Sequence, residues 1–259
     1  MPRVYLPPEK FSGKSVLIEG EAYHHLKNVL RMEKGDPLWV IDNSGREFWV
    51  KITEVDKKDM KGEILGVRDS SRQPLTEIIL YQGLLKPDKM DLVIQKATEL
   101  GVSRIVPVAA TRSQIRELSP SRLQRWKRII LGACAQSFRT LAPVIEEAMS
   151  FESAVEKANQ DGETWVFWEN EEKDDPLKAL NGHSDFSKLS IFIGPEGGLT
   201  LSEVMFSRSK GSRILTLGPQ VLRSETAAIA SLAISVFLVE RRDRLGKEKP
   251  RQEDSWKFM

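Results

Sequence analysis

The residues with the clearest chemical capacity are Gly194-Pro195-Glu196-Gly197-Gly198-Leu199-Thr200, directly behind the apolar run Leu189–Ile193. Thr200 and Glu203 have the Thr-x-x-Glu spacing of a capping box, which predicts a helix start. A strand, a glycine-rich bend and a helix N-terminus therefore follow one another. The glycines allow backbone conformations and close approaches that other residues forbid. The carboxyl ends of strands are where α/β sheets bind ligands. The loop has neither the Gly-Lys-Ser/Thr ending of a Walker A motif nor a Gly-x-Gly-x-x-Gly fingerprint. Glu196 would repel a phosphate, so the expected ligand is a neutral or cationic small molecule. The plainer alternative is a tight turn that binds nothing.

Leu217–Ala227 repeats the layout. Ser224 is expected as the helix N-cap, with Glu225 in the first turn, where a carboxylate complements the helix dipole. Arg223 stands just ahead of that start, where the dipole offers a cation nothing. It lies either in solvent or against a ligand. A third segment, Leu85–Val102, reads as a helix closed by Gly101, with Lys86 and Lys89 placed compatibly with phosphate contact. His24 and His25 are adjacent, so a helix cannot aim both at one metal as an i, i+4 pair would, and no metal site is expected. His-Glu-x-x-His, paired Cys-x-x-Cys and Gly-x-Ser-x-Gly do not occur. The single cysteine, Cys134, lies between Ala133 and Ala135 and is expected as a small core residue. It excludes an intrachain disulfide and agrees with a reducing, cytoplasmic setting.

The elements that must position these loops follow from hydrophobic patterning. Val4–Leu6, Ser15–Ile18, Pro37–Asp42, Glu47–Val55 and Gly62–Val67 read as short strands, with a hairpin turn at Asn43-Ser44-Gly45 and a helix over Glu21–Arg31. That spacing predicts a small barrel. From Glu77 onward strands and helices alternate. The strands are Ile78–Leu84, Arg104–Val108, Thr164–Trp168, Leu189–Ile193 and Arg213–Leu217. The helices are Lys89–Leu100, Ser121–Phe138, Phe151–Asn159, Leu201–Ser209 and Ser224 to about Arg242. This order predicts a mostly parallel α/β sheet covered by helices. The expected domains are residues 1–72 and 73–246, with a frayed charged tail over 247–259.

Composition agrees with a soluble globular chain: of 259 residues 40% are hydrophobic and 29% charged, which excludes wholesale disorder and fibrous repeats. The first ten residues lack a signal-peptide pattern, and the longest apolar run, Ala227–Val239, is too short to span a bilayer. Charge is balanced overall but not locally. Arg112–Arg139 holds seven basic residues against one acid, and Glu146–Asp175 holds eleven acids against two lysines. The basic block suggests a surface facing a polyanion, or a solvated helix face without a partner.

Together, Gly194–Thr200 and Leu217–Ala227 resemble the two signature loops of the SPOUT methyltransferases, specifically the RsmE type. These methylate uridine at N3 in 16S ribosomal RNA. His24–Arg31, Gln95–Val102 and Gln136-Ser137 with Arg139 match as well, so the resemblance spans nearly the whole chain. It implies an N-terminal PUA-like β-barrel that binds RNA. It also implies a C-terminal α/β domain with a trefoil knot, S-adenosylmethionine as cofactor, and a homodimer whose interface lies near the last helix. Carried over by position, Phe167, Trp168 and Glu169, then Gly194, Glu196 and Gly197, then Leu217, Gly218, Val221, Leu222 and Arg223 would hold the cofactor. Arg223 and Glu225 would be catalytic. Three positions depart from the pattern: Gln220 stands for a usual Arg, Ala135 for a usual Glu and Phe138 for a usual Gly.

The chemistry so implied needs the methyl group aligned with N3 and the imide proton removed. Arg223 is expected to stabilise the developing uracil anion, and Glu225 is the weaker candidate for a base, with water the alternative. Arg3, Arg31, Lys86, Arg112 and Arg116 are expected on phosphates of 16S ribosomal RNA in the small subunit, and the target uridine must be unpaired or flipped. Two competing functions are methylation at another RNA position and an RNA-binding or ribosome-assembly protein without catalysis. The first is disfavoured by the N-terminal barrel and the Arg-Ser-Glu-Thr loop, and S-adenosylmethionine binding discriminates the second.

Overall fold

A computed structural model describes residues 1–70, 76–115, 118–182, 186–245 and 256–258. The expected boundary at 72–73 and most of the tail after 246 lie outside these residues. Two compact units emerge: Met1–Gln73 with Leu131–Ala142 and Pro250–Met259, and Pro74–Ile130 with Pro143–Lys249.

The first unit is a curled sheet of β1 (Arg3–Tyr5), β2 (Phe11–Ser12), β3 (Ser15–Glu19), β4 (Pro37–Ile41), β5 (Arg46–Val55) and β6 (Asp59–Asp69), ordered β1-β4-β5-β6-β3-β2. Alternate residues of these strands, Val16, Ile18, Leu38, Val40, Phe48, Val50 and Ile52 among them, form its core. The hairpin between β4 and β5 turns where expected. Asn43 and Gly45 take φ of 68° and 83°, and the Asp42 carboxylate accepts from the Ser44 N–H and hydroxyl.

The helix expected over Glu21–Arg31 is shorter and irregular. α1 (Gly20–His24) runs into a π-helical turn, His25–Val29, and Arg31 leaves it at φ 54°. The wider turn buries Leu26 and returns the chain so that Met32 N–H reaches the Leu26 carbonyl. Beyond the expected elements, Trp256–Phe258 pairs antiparallel with β6, so this part of the tail is not frayed.

The second unit is built on β7 (Glu77–Gly83), β8 (Arg104–Ala109), β9 (Val144–Ile145), β10 (Met149–Ser150), β11 (Glu163–Phe167), β12 (Lys188–Ile193) and β13 (Arg213–Leu215). Every pairing among them is parallel, and the main order is β10-β8-β7-β12-β11-β13. The central strands are buried on both faces, which is why they read as continuous apolar runs. On one face Tyr81 and Phe192 stack at 4.4 Å within a core shared with Phe151, Ala154 and Val204. The covering helices are α2 (Pro87–Glu99), α3 (Pro120–Ser137, which contributes residues to both units), α4 (Phe151–Asp161), α5 (Pro176–Gly182), α6 (Leu201–Ser209) and α7 (Ser224–Leu245). α5 and the two-residue strands were not apparent in the sequence. No helix among the described residues is long and apolar enough to cross a membrane.

α6 begins with the capping box its sequence announces: Thr200 accepts from Glu203 N–H, and the Glu203 carboxylate accepts from Thr200 N–H. Glu203 is buried and its other oxygen accepts from Thr111 N–H at 2.8 Å, so one cap also pins the loop after β8. Thr200→Ala is expected to cost about 1 kcal/mol, read from urea unfolding.

Candidate functional site

The carboxyl ends of β11, β12 and β13 lie side by side, so the three segments that follow them converge. They enclose a crevice with about 760 Å³ of space including its open mouth. Phe167, Trp168 and Glu169 line it from the first segment, Gly194, Glu196 and Gly197 from the second, and Leu217, Gly218, Val221 and Leu222 from the third. Ten of the eleven sequence-derived cofactor residues are thus brought together. Arg223 is the exception. Its carbonyl accepts the first turn of α7 from Ala227 N–H, and its side chain is exposed and outside the lining. Ile193, Pro195, Gly198, Leu199, Thr216, Gln220, Ser224 and Ala227 complete the wall. Most lie inside the two loop motifs, and contiguity with those motifs was the signal that could have found them.

The crevice is held open by a few specific contacts. Gln82, fully buried at the end of β7, donates to the Ser224 hydroxyl at 3.1 Å, and the Ser224 hydroxyl donates to the Gly194 carbonyl. This corrects the reading of Ser224 as an N-cap: α7 starts one residue earlier, and the hydroxyl ties the helix to the glycine-rich loop instead. A Cβ on Gly83 would lie 2.5 Å from Pro195 N and 2.8 Å from Gly194 C, so only glycine lets these backbones touch. Glu196 accepts from Lys86 N–H at 2.9 Å, and Arg112 Nη1 donates to the Gly197 carbonyl at 2.9 Å. The Trp168 backbone N–H donates to the Leu215 carbonyl at 3.0 Å, whereas its indole N–H is buried with no acceptor among the described residues.

The catalytic candidates sit at the start of α7. Lys89 Nζ lies 3.0 Å and 3.2 Å from the two Glu225 oxygens. Burial alone would raise the Glu225 pKa. Its own backbone N–H, the Lys89 ammonium and the Arg223 charge outweigh that and hold it below the usual carboxylate range. The expectation of Glu225 as a base is therefore corrected: an ion-paired carboxylate of lowered pKa is a poor acceptor for an imide proton. The Arg223 side chain makes no hydrogen bond or ion pair with a described residue.

The phosphate candidates divide. Arg31, Lys86 and Arg112 are exposed. Arg3 is not: its side chain is 3% exposed and pairs with Glu47 at 2.6 Å, and Glu47 also holds Arg68. The Arg3 guanidinium stacks 4.1 Å over Phe138, which takes a φ of 63°. Its burial removes Arg3 from the phosphate set. It also explains the departure at Phe138: the ring occupies a backbone conformation that favours glycine and is anchored there by the stacked cation. Arg116 lies outside the described residues. Cys134 is buried, and burial pushes its thiol up to about 11, as suits an inert core residue.

Comparisons with known proteins agree on one lineage. A family model described as an RNA methyltransferase domain matches residues 71–236, and one described as an RNA methyltransferase PUA domain matches residues 18–65. The chain is 30% identical to ribosomal RNA small subunit methyltransferase E of Bacillus subtilis, covering 86% of this chain and 90% of that one. With its counterpart from Aquifex aeolicus it shares 31% identity over 89% and 97% of the two chains. Among solved structures, the small subunit methyltransferase E of Neisseria gonorrhoeae bound to S-adenosyl methionine superposes with a TM-score of 0.82 at 30% identity, covering 92% of this chain and 98% of that one. A Legionella pneumophila methyltransferase in complex with the same cofactor gives 0.81 at 31% identity, covering 90% and 96%.

Proposed function

This chain belongs to the ribosomal RNA small subunit methyltransferase E family, and from that premise we propose that it methylates N3 of a uridine in 16S ribosomal RNA, using S-adenosylmethionine. The observation that carries the reading is the crevice itself, in which three strand-end loops gather ten residues of the family's cofactor pattern.

The wall fits such a donor. Backbone-rich loops offer N–H and carbonyl groups to an adenine edge, and Glu169 and Glu196 offer carboxylates to a sulfonium and an ammonium. Bound there, S-adenosylmethionine would supply a methyl group already activated by its sulfonium. The chain's task is alignment and charge. Arg223, unpaired at the start of α7, is proposed to face the uracil carbonyls and stabilise the N3 anion. Water takes the imide proton, since Glu225 is engaged with Lys89. The target base must leave its stack to present N3.

We further propose that the active form is a homodimer working on small subunits in the cytoplasm, with Ile234 and Phe237, both exposed on α7, at the subunit interface. Arg31, Lys86 and Arg112 would meet RNA phosphates. Each phosphate contact to unpaired RNA adds about −0.7 to the slope of log affinity against log salt, so Lys86→Ala is expected to flatten that slope by about this amount. A slope unchanged in Lys86→Ala removes it from the surface.

The deciding experiment incubates the protein with undermodified small subunits and S-adenosylmethionine and maps the product by mass spectrometry of digested RNA. The expected product is a single uridine heavier by one methyl on the base. Methylation on a ribose, on transfer RNA or nowhere overturns the proposal.

A further inference from the structure

Two cations compete for one carboxylate at the start of α7. Glu225 is 12% exposed at its side chain, so it needs a counter-charge. Lys89, in the first turn of α2 and 26% exposed, contacts both its oxygens. Arg223, two residues away, contributes to the field at Glu225 but makes no ion pair with it. Among the described residues Lys89 makes no ion pair with an acid of α2, the adjacent Asp88 included. Asp91, the next acid along, is already bound by Arg125 Nε at 2.7 Å and the Trp126 indole N–H at 3.1 Å. The arrangement leaves an unpaired guanidinium on the residue between Leu222 and Ser224, which both line the crevice, and two positions from a carboxylate that would otherwise attract it.

We infer that Lys89 is a positioning residue for methyl transfer: by holding Glu225 it keeps Arg223 free for the RNA. The inference rests on the proposed role of Arg223. Without Lys89, the partly buried Glu225 turns to the remaining cation, and Arg223 is drawn into an ion pair. Its charge is then partly neutralised before the uracil arrives, and forming the transition state requires breaking that pair. The effect falls on turnover and not on cofactor binding, because neither Lys89 nor Arg223 lines the crevice.

The test compares Lys89→Met, Lys89→Arg and the double variant Lys89→Met/Glu225→Gln in full-length protein. A partly exposed ion pair corresponds to about a fivefold effect, so Lys89→Met is expected to lower kcat about fivefold, with cofactor affinity by calorimetry unchanged. Lys89→Arg restores turnover because it can still bridge both oxygens. The double variant recovers most of the loss, since a neutral amide has no charge with which to trap Arg223. A crystal structure of Lys89→Met should show Arg223 in contact with Glu225. If Lys89→Met fails to fold, Lys89→Gln carries the same comparison.

A pair that serves only stability gives the opposite pattern, with the double variant no faster than Lys89→Met. That result, or wild-type kcat in Lys89→Met, overturns the inference. The wild-type control separates the two levels. No methyl transfer by the wild type overturns the proposed function and this inference with it, whereas transfer without recovery in the double variant overturns this inference alone.

Discussion

Arg223→Ala is expected to slow methyl transfer to small-subunit RNA by about 10²–10³, the usual cost of removing one preorganised charge that meets a developing anion. The same variant should bind S-adenosylmethionine as the wild type does, because the Arg223 side chain lies outside the crevice lining. The substitution should also leave the fold intact. Arg223 is exposed and unpaired, and its backbone carbonyl, which opens α7, is kept by alanine. Single-turnover rates with undermodified subunits, set beside calorimetry with the cofactor, check both halves. Unchanged turnover would remove Arg223 from the mechanism. A parallel loss of cofactor affinity would mean that its side chain works inside the crevice.

Gly83→Ala is the second large effect, and it acts through packing. The added methyl would meet Pro195 N at 2.5 Å and Gly194 C at 2.8 Å. Both are backbone atoms, so no side chain can swing aside. Overpacking of this kind costs about 1–3 kcal/mol, visible in urea unfolding. Relief requires the glycine-rich loop to shift, and that loop supplies Gly194, Glu196 and Gly197 to the crevice. A displacement on the order of 1 Å at such a site can cost about a hundredfold, so cofactor affinity should fall by at least about tenfold. Wild-type affinity in a stably folded Gly83→Ala would show that the loop position is not set by this contact.

Much of the second unit was legible because its signals are local. Leu201–Ser209 was placed to the residue, since Thr200 and Glu203 announce its start and no competing cap lies nearby. Gly101 closes α2 at φ 96° for the same kind of reason. The buried central strands stood out as apolar runs between helices. Two of the crevice's three segments stood out as glycine-containing loops between a strand and a helix, whereas the residues assigned to the cofactor came from the resemblance. The resemblance to a known family supplied the cofactor, which periodicity could not.

What escaped the sequence depends on long-range partners. Arg3 looks like any N-terminal basic residue until Glu47 and Phe138, distant in sequence, bury it. Ser224 has the composition of an N-cap, but its hydroxyl is claimed by Gly194 on another loop. Glu225 looked available as a base because nothing in its own segment reveals Lys89, more than a hundred positions earlier. The π-helical turn at His25–Val29 stands where a regular helix was expected, and the link that follows it, with Met32 N–H on the Leu26 carbonyl, is not announced by any local signal.

The make-up of the first unit has a temporal corollary. That unit also takes in Leu131–Ala142: Thr140 donates to the Ser70 carbonyl and accepts, through its own carbonyl, from Gly45 N–H. At a translation speed of about 5–20 residues per second, those partners emerge roughly 4–14 s after β1–β6 have been synthesised. The nascent chain must therefore wait with the Arg3–Glu47 pair uncovered until Phe138 has been made, and the sheet gains its last pairing only once Trp256–Phe258 can join β6.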